Sequence, residues 1–381
     1  MDHWDVIVAG AGQAGCAAAW DLAAGGARVL LIHTGEGREK PCAGGLTIKA
    51  LRRYRFALDS VIRETVSTLN LPGPGGDTRI AVGEPFCVMT HRRELDALCR
   101  ERAGERGADW TQANGVRAVR QSAAGVVLEL RDGRRYRAAY LIAADGAHSP
   151  LRRLLQGSQA GAGALALEAH VPRERLRHYP PMTLDFGAIR QGYGWLFPKG
   201  DHVNVGLYVW RRERARPTLQ ALRDYARRSL GCDRLDDVGG YPLGTWLTRR
   251  APLCGRVLFV GDAAGATEAL LGEGIYGALV SGQLAASAIL AGRAQDYPLL
   301  LARWRDELRQ VERLTQVFYR SAPVGCMLLR HGLAPTLLRG YARGWTLGQT
   351  KRAWRGATPG GAPRDPDGGP FHDLDHGKPG G

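Results

Sequence analysis

Residues 5–33 read DVIVAGAGQAGCAAAWDLAAGGARVLLIH. An apolar run is broken by three glycines, passes into an alanine-rich stretch, and returns as a second apolar run. This predicts strand, tight turn, helix from Gln13 to about Ala24, and strand. Each glycine has its own reason. Gly10 permits the tight turn, Gly12 lets the backbone approach a pyrophosphate, and Gly15 lets helix and strand pack closely. The start of the helix, with Gln13 and Ala14, then presents N–H groups and a positive dipole end to phosphate. In this context the pattern predicts dinucleotide binding. One departure stands out: where an acidic residue would hold the ribose hydroxyls at the end of the second strand, this chain has His33 and Thr34. Either these two residues hold the ribose or Glu36 reaches back to it.

Composition limits the rest. The 381 residues are 44% hydrophobic and 23% charged, the balance of a globular enzyme too long for one simple core. No apolar run reaches the roughly 18 residues needed to span a bilayer. The first strand begins too early to leave room for a signal peptide. Seven cysteines without CxxC pairing fit reduced thiols, so a cytoplasmic protein is expected. The formal charge of +15 invites an anionic partner: nucleic acid, an acidic membrane surface or a phosphorylated small molecule. Only five of the 52 basic residues are lysine, however, and an arginine-rich solvated surface accounts for much of the charge. No DNA- or RNA-binding motif occurs in its required context, so nucleic acid is not an expected partner.

The remaining pattern is an alternation. A helical spacing covers 91–106, short β segments follow to 144, and a mostly β stretch runs from about 163 to 248 with a helical piece at 217–229. "RVLFVGD" (256–262) reads as a buried strand. Long helices are expected over 264–292 and 297–319, then a shorter apolar-basic segment. The expected fold is α/β. A discontinuous Rossmann-like nucleotide-binding domain (1–70, 91–160 and 250–320) carries an inserted, mostly antiparallel β-sheet substrate domain (71–90 and 161–249). A helical C-terminal segment (321–354) and a Gly/Pro-rich disordered tail (355–381) complete it.

Two further signatures share the strand-end context. One strand ends in Asp145-Gly146 ahead of a helix start at Ser149-Pro150, and another ends in Gly261-Asp262 ahead of a small-residue stretch. An aspartate at a strand end accepts a hydrogen bond from a ribose or ribitol hydroxyl, and small residues let a second helix N-terminus approach the cofactor.

These three motifs together resemble the FAD-dependent oxidoreductases of the p-hydroxybenzoate hydroxylase fold. "THRRELDALC" is similar to that group's Arg-x-x-(Leu/Phe)-Asp helix start and implies that Arg92 lies at the cofactor. "KPCAGGLT" (40–47) and "GYGWLFPKGDHVNVGLYV" (192–209) narrow the resemblance to the geranylgeranyl reductase family. Departures are Ala43 for a glycine, Tyr208 where a glycine usually stands, and Ala269 for a proline; the last two alter the pocket wall. The resemblance implies FAD, with Cys42, Gly44, Gly45 and Leu46 beside the isoalloxazine and Gly272, Gly274 and Ile275 in a flavin-facing "GEG" loop. It places Cys42 on the substrate side, orienting an alkene or delivering a proton; a buried small hydrophobe is the other reading of that thiol. Tyr193, Trp195 and Phe197 alternate at strand period, so they share one face. That face either lines an isoprenoid tunnel or packs in a core.

The resemblance implies an FAD-dependent reductase that saturates C=C bonds of a polyprenyl group. No second dinucleotide fold appears, so NADPH would bind transiently or a ferredoxin-type donor would serve. A flavin-dependent monooxygenase acting on an aromatic or amino-acid side chain, and a non-catalytic prenyl-binding escort, are the alternatives. No histidine pair has metal-ligand spacing, so no metal is expected; "HDLDH" (372–376) reads as a chance cluster. The segment 325–345 interleaves Met327, Leu328, Leu329, Leu333, Leu337 and Leu338 with Arg330, Arg339 and Arg343. It is a candidate interfacial helix, kinked at Gly332 and Pro335, for peripheral membrane contact. The prenyl substrate and the oligomeric state are not set by the sequence.

Overall fold

A computed structural model of the chain describes residues 3–35, 41–157, 163–211 and 213–356. Glu36 and the tail from 357, including the 372–376 cluster, lie outside the described residues.

Strand β1 (His3–Ala9) leads through Gly10–Gly12 into helix α1 (Gln13–Ala24) and returns as β2 (Val29–His33). Helix α2 (Arg92–Glu105) is followed by β3 (Asp109–Gln112) and the long strand β4 (Arg135–Ala143). β1 pairs in parallel with β2 on one side (Val6 with Val29) and with β4 on the other (Val6 with Tyr140); β3 extends the parallel sheet beyond β2. Val6, Ile7 and Val8 are fully buried, as expected of a parallel strand covered on both faces. The sheet's order reverses beside β1, and in such sheets ligands bind at the carboxyl ends of the strands where the order reverses.

The second sheet contains β5 (Ala164–Pro172), β6 (Thr183–Asp185), β7 (Gly192–Pro198), β8 (His202–Val209), helix α3 (Leu219–Leu230) against one face, and β9 (Asp236–Leu243). Its order is β9-β5-β8-β7-β6, extended by strands 68–71 and 78–81. Pairing is antiparallel apart from β6 with residues 68–71. Strand alternation splits β7 cleanly: Leu196 joins Val203, Val205 and Leu207 under Leu222 and Tyr225 of α3, while Tyr193, Trp195 and Phe197 enter a separate aromatic cluster on the other face. A third, small sheet joins residues 45–47, 87–90 and 62–66.

The chain then returns to the parallel sheet with β10 (Val257–Phe259), beside β4. The continuous helix expected over 264–292 is not formed. A single helical turn (Gly261–Ala264) stops at Gly265, a loop follows, and α4 covers Ile275–Leu290. Gly265 sits at φ 81 with the Trp246 ring 2.4 Å from where a Cβ would lie, and Gly272 adopts φ 71. These two left-handed positions end any helix, whatever the composition around them. α4 packs closely on α1: a Cβ at Gly282 would lie 2.3 Å from the Ala14 carbonyl.

Helices α5 (Ala302–Arg320), α6 (Ala322–Leu328), α7 (Ala334–Ala342) and α8 (Leu347–Gly356) end the described chain. Between α6 and α7 the helical path breaks at Gly332, where the sequence places a kink. Pro335 falls in the first turn of α7, where its missing N–H costs nothing. Among the described residues no helix is long and apolar enough to cross a membrane.

Candidate active site

The carboxyl ends of the parallel strands and the aromatic face of the second sheet enclose a cleft of about 930 Å³. One end is a backbone cradle. Gly10 holds φ +114, and a Cβ there would lie 2.3 Å from the Ala144 carbonyl oxygen; a Cβ on Gly15 would lie 1.8 Å from the Gly10 oxygen. Both glycines are therefore required by the protein's own backbone. Gly12 differs: nothing in the protein lies within 4 Å of a Cβ placed there. Gly12 is also the N-cap of α1, with no side chain satisfying the first N–H groups. The same is true of Gly274, the N-cap of α4. Two uncapped helix N-termini thus open on one cleft, a pairing that suits the phosphates of a dinucleotide.

The side chains around the cradle divide the work. Gln13 faces away from the phosphate position: its amide donates to Asp96 (2.6 Å) and accepts from the Tyr54 hydroxyl (2.6 Å), tying α1 to α2. Only its backbone and that of Ala14 serve the cradle. His33 and Thr34 line the cleft at the end of β2; the His33 Nδ1 accepts from the Gly35 N–H, and the ring stands edge-on to Trp110. Asp145 lines the cleft, and the protein engages both of its carboxylate oxygens. One oxygen accepts from the Ser149 hydroxyl (2.7 Å) and the other from the Leu151 N–H (2.8 Å), so it braces the start of the helix at Pro150, whose N-cap is Ser149. Burial raises its pKa against those bonds. Gly146 lines the cleft beside it. Asp262 uses Oδ1 to accept from the Gly244 N–H and the Thr267 hydroxyl, and lines the cleft with Gly261.

At the centre, Arg92 is almost fully buried. Burial opposes its charge, but Asp96 and the Cys42 thiol beside it more than offset this and hold the guanidinium more basic than usual. Asp96 accepts from it at 3.0 Å through both oxygens. The Cys42 sulfur accepts from the Gly44 N–H at 3.4 Å, and the Cys42 N–H donates to the Glu168 carboxylate at 2.6 Å. Cys42 lines the cleft and is half-buried. Gly44 holds φ +68 with the Lys199 amine 2.1 Å from its Cβ position, so this loop also depends on glycine. Gly45 lines the cleft, whereas Leu46 is fully buried in the main core.

Four features escape sequence reading. Glu168, a lone acid in a strand 126 residues from Cys42, anchors the cysteine loop. Glu268 is buried and gathers the N–H groups of Leu270, Leu271 and Glu273, shaping the loop that carries Gly272 and Gly274; its burial raises its pKa. Glu273 pairs with buried Lys49 (2.6 Å) and accepts from Thr47 (2.5 Å). Two departures from the family pattern turn out to touch: the Tyr208 hydroxyl donates to the Ala269 carbonyl (2.7 Å). Of the acids, Glu268 and Glu273 carry a local signal, their shared place in "EALLGEG" (268–274), whereas Glu168 carries none.

The aromatic wall is both core and lining. Tyr193, Trp195 and Phe197 are each less than a tenth exposed, belong to one apolar cluster, and face the cleft. The Tyr193 hydroxyl donates to the Leu271 carbonyl (2.6 Å) and the Trp195 N–H to Asn204 (2.7 Å), so their polar tips are held by the protein.

A model of an FAD-binding domain matches residues 3–177, which include the cradle over Gly12 and the Arg92 helix. Over 351 residues the chain is 30% identical to the chloroplastic geranylgeranyl diphosphate reductase of Oryza sativa subsp. japonica, covering 83% of this chain and 75% of that one. It is 32% identical to the menaquinone reductase of Mycolicibacterium smegmatis, covering 77% and 78%. Among solved structures, a geranylgeranyl bacteriochlorophyll reductase-like protein from Thermoplasma acidophilum superposes with a TM-score of 0.70 over 92% of this chain and 96% of that one, at 22% identity. Fold and cleft define an FAD-dependent oxidoreductase. The chain belongs to the geranylgeranyl reductase family of these enzymes.

Proposed function

We propose that this enzyme reduces C=C bonds of a polyprenyl group held against the aromatic wall. The observation that carries the reading is the division of the cleft. One end is backbone N–H groups suited to phosphates; the other is Met182, Leu184, Tyr193, Trp195, Phe197 and Leu271, apolar surface whose hydroxyl and indole N–H are already bonded. Such a wall binds a hydrocarbon chain by burial, about 25 cal/mol per Å² of apolar surface removed from water. The relatives named for geranylgeranyl diphosphate and menaquinone reduction support the same class of substrate.

Reduced FAD supplies the hydride when bound. The chain's own part is to position the alkene, exclude water and provide the second hydrogen as a proton. Cys42 is the group placed for this. Its sulfur sits at the junction of cradle and wall, and Arg92 sets a cation against an atom that becomes anionic on giving up its proton. Glu168 fixes the loop through the Cys42 N–H. Tyr208, filling the space over Gly272 and bonded to Ala269, narrows the substrate end and sets how far a chain can enter. NADPH or a ferredoxin-type donor would serve as reductant.

Anaerobic incubation of the dithionite-reduced enzyme with geranylgeranyl diphosphate or a menaquinone tests the reading. Product heavier by two hydrogens per bond is expected. In a parallel incubation under air, oxygen uptake with product heavier by one oxygen would instead establish the monooxygenase.

A lipid-borne substrate calls for contact with a membrane surface. The exposed large apolar side chains concentrate on α5 to the start of α7: Leu314, Val317, Val324, Met327, Leu328 and Leu333, flanked by exposed Arg313, Arg320 and Arg339. The patch lies earlier in the chain than 325–345, because Leu338 is buried and Arg330 turns inward to Pro74, Gly76 and Thr78. Binding to vesicles containing anionic lipid is expected, gaining roughly 1 kcal/mol per arginine near the surface and weakening with salt. Co-sedimentation should show it for the wild type and lose most of it in Val317→Asp/Met327→Asp. Unchanged sedimentation of that variant would move the contact elsewhere.

A further inference from the structure

Away from the cleft, the turn between β7 and β8 meets the head of α2. We propose that His91, Asp201 and His202 at this junction form a binding site for a zinc-type divalent cation. Their ligand atoms lie within 4.8 Å of one another, though His91 is about 110 residues from Asp201 and His202 in the chain. The His202 Nδ1 and the His91 Nε2 both face the same Asp201 oxygen, at 2.7 and 3.3 Å. A cation with bonds of about 2.0–2.2 Å needs donors roughly 3–4 Å apart, and two imidazoles with one carboxylate are the donor set that borderline metals take.

Three observations favour a ligand over a plain hydrogen-bonded cluster. The His91 Nε2 is sealed from water and makes no hydrogen bond despite its closeness to Asp201. An unmatched buried nitrogen is costly, and a metal would satisfy it. Behind it, Glu94 lies 3.5 Å from the His91 Nδ1. That is the outer carboxylate that orients a metal-binding imidazole and directs its lone pair to the other side. Finally, the turn is already rigid. The Gly200 N–H donates to Tyr179 (2.6 Å), the Arg173 N–H to the Asp201 carbonyl (2.9 Å), and the Lys199 N–H to the His202 carbonyl (2.9 Å). The ring of His170 stacks on His202 at 4.2 Å. Asp201 is largely exposed and provides the way in.

The site has a structural consequence. It would clamp the hairpin turn to the start of α2, next to Arg92, on top of the bond from Lys199 to the Thr90 carbonyl (2.6 Å). Isothermal titration of full-length protein with Zn²⁺ tests it against His91→Gln and Asp201→Asn. Asp201 is a surface side chain, and Asp201→Asn keeps its shape, so that variant should fold; melting without zinc checks both. The wild type should bind one equivalent more than either variant, or bind that equivalent roughly tenfold or more tightly. Zinc should also raise its melting temperature more than theirs, and Mg²⁺, which prefers oxygen donors, should do neither. Equal zinc binding by wild type and both variants, or none by the wild type at micromolar zinc, overturns the site.

Discussion

Replacing Cys42 by alanine is expected to leave a yellow protein that holds FAD as the wild type does, while prenyl reduction falls by about 100-fold or more, the usual worth of a positioned proton donor. The two halves of the result come from geometry. The cradle for the cofactor is backbone at Gly10, Gly12 and Gly274, which the substitution does not touch. The loop itself is held by the Cys42 N–H to Glu168 and by Gly44 at φ +68, and alanine keeps both. What is lost is the thiol that lines the cleft beside the Arg92 cation. Cys42→Ser separates proton delivery from packing, since a hydroxyl of similar size retains a proton but gives it up less readily; it should fall between alanine and wild type. Kinetics of Cys42→Ala equal to wild type would return the thiol to the role of a small apolar filler and leave the proton to solvent.

The strand–turn–helix at residues 3–33 is legible because each of its requirements is local: apolar runs, three glycines and a run of alanines within one short window. The aromatic alternation of 193–197 is legible for the same reason, and its two readings, tunnel wall and core, are both realised because the wall is one side of a buried cluster. Helix 264–292 fails as a reading because small residues on both sides of Gly265 and Gly272 look alike, while the left-handed turns there are set by Trp246 and Tyr208 packing against them. The second task of Asp145 is not legible, because a strand-end aspartate looks the same whether or not it also braces a helix start; here it accepts from the hydroxyl of Ser149, the N-cap that in turn accepts from the Arg152 N–H. Glu168 with Cys42, and Lys199 with Thr90, are joined across 126 and 109 residues. No window of sequence carries pairings at that range.

Gly12→Val is expected to abolish FAD retention while leaving the apoprotein as stable as the wild type. Gly12 has φ −81, a region any residue adopts, and no protein atom lies within 4 Å of an added Cβ. The valine therefore meets nothing until the cofactor arrives, and then occupies the space where the backbone must approach a pyrophosphate. Its neighbour three residues on makes the control. A Cβ at Gly15 would lie 1.8 Å from the Gly10 carbonyl oxygen, and backbone cannot move aside as a flexible side chain does. Gly15→Ala should cost the fold about 1–3 kcal/mol or more, the range of overpacked cores. Thermal melting of cofactor-free protein and the flavin absorbance after gel filtration separate the two. Gly12→Val should give normal melting and a colourless protein, whereas Gly15→Ala should melt early with or without added FAD. A yellow Gly12→Val protein would mean that the pyrophosphate does not lie over α1, and the second uncapped N-terminus, at Gly274, would become the place to look for it.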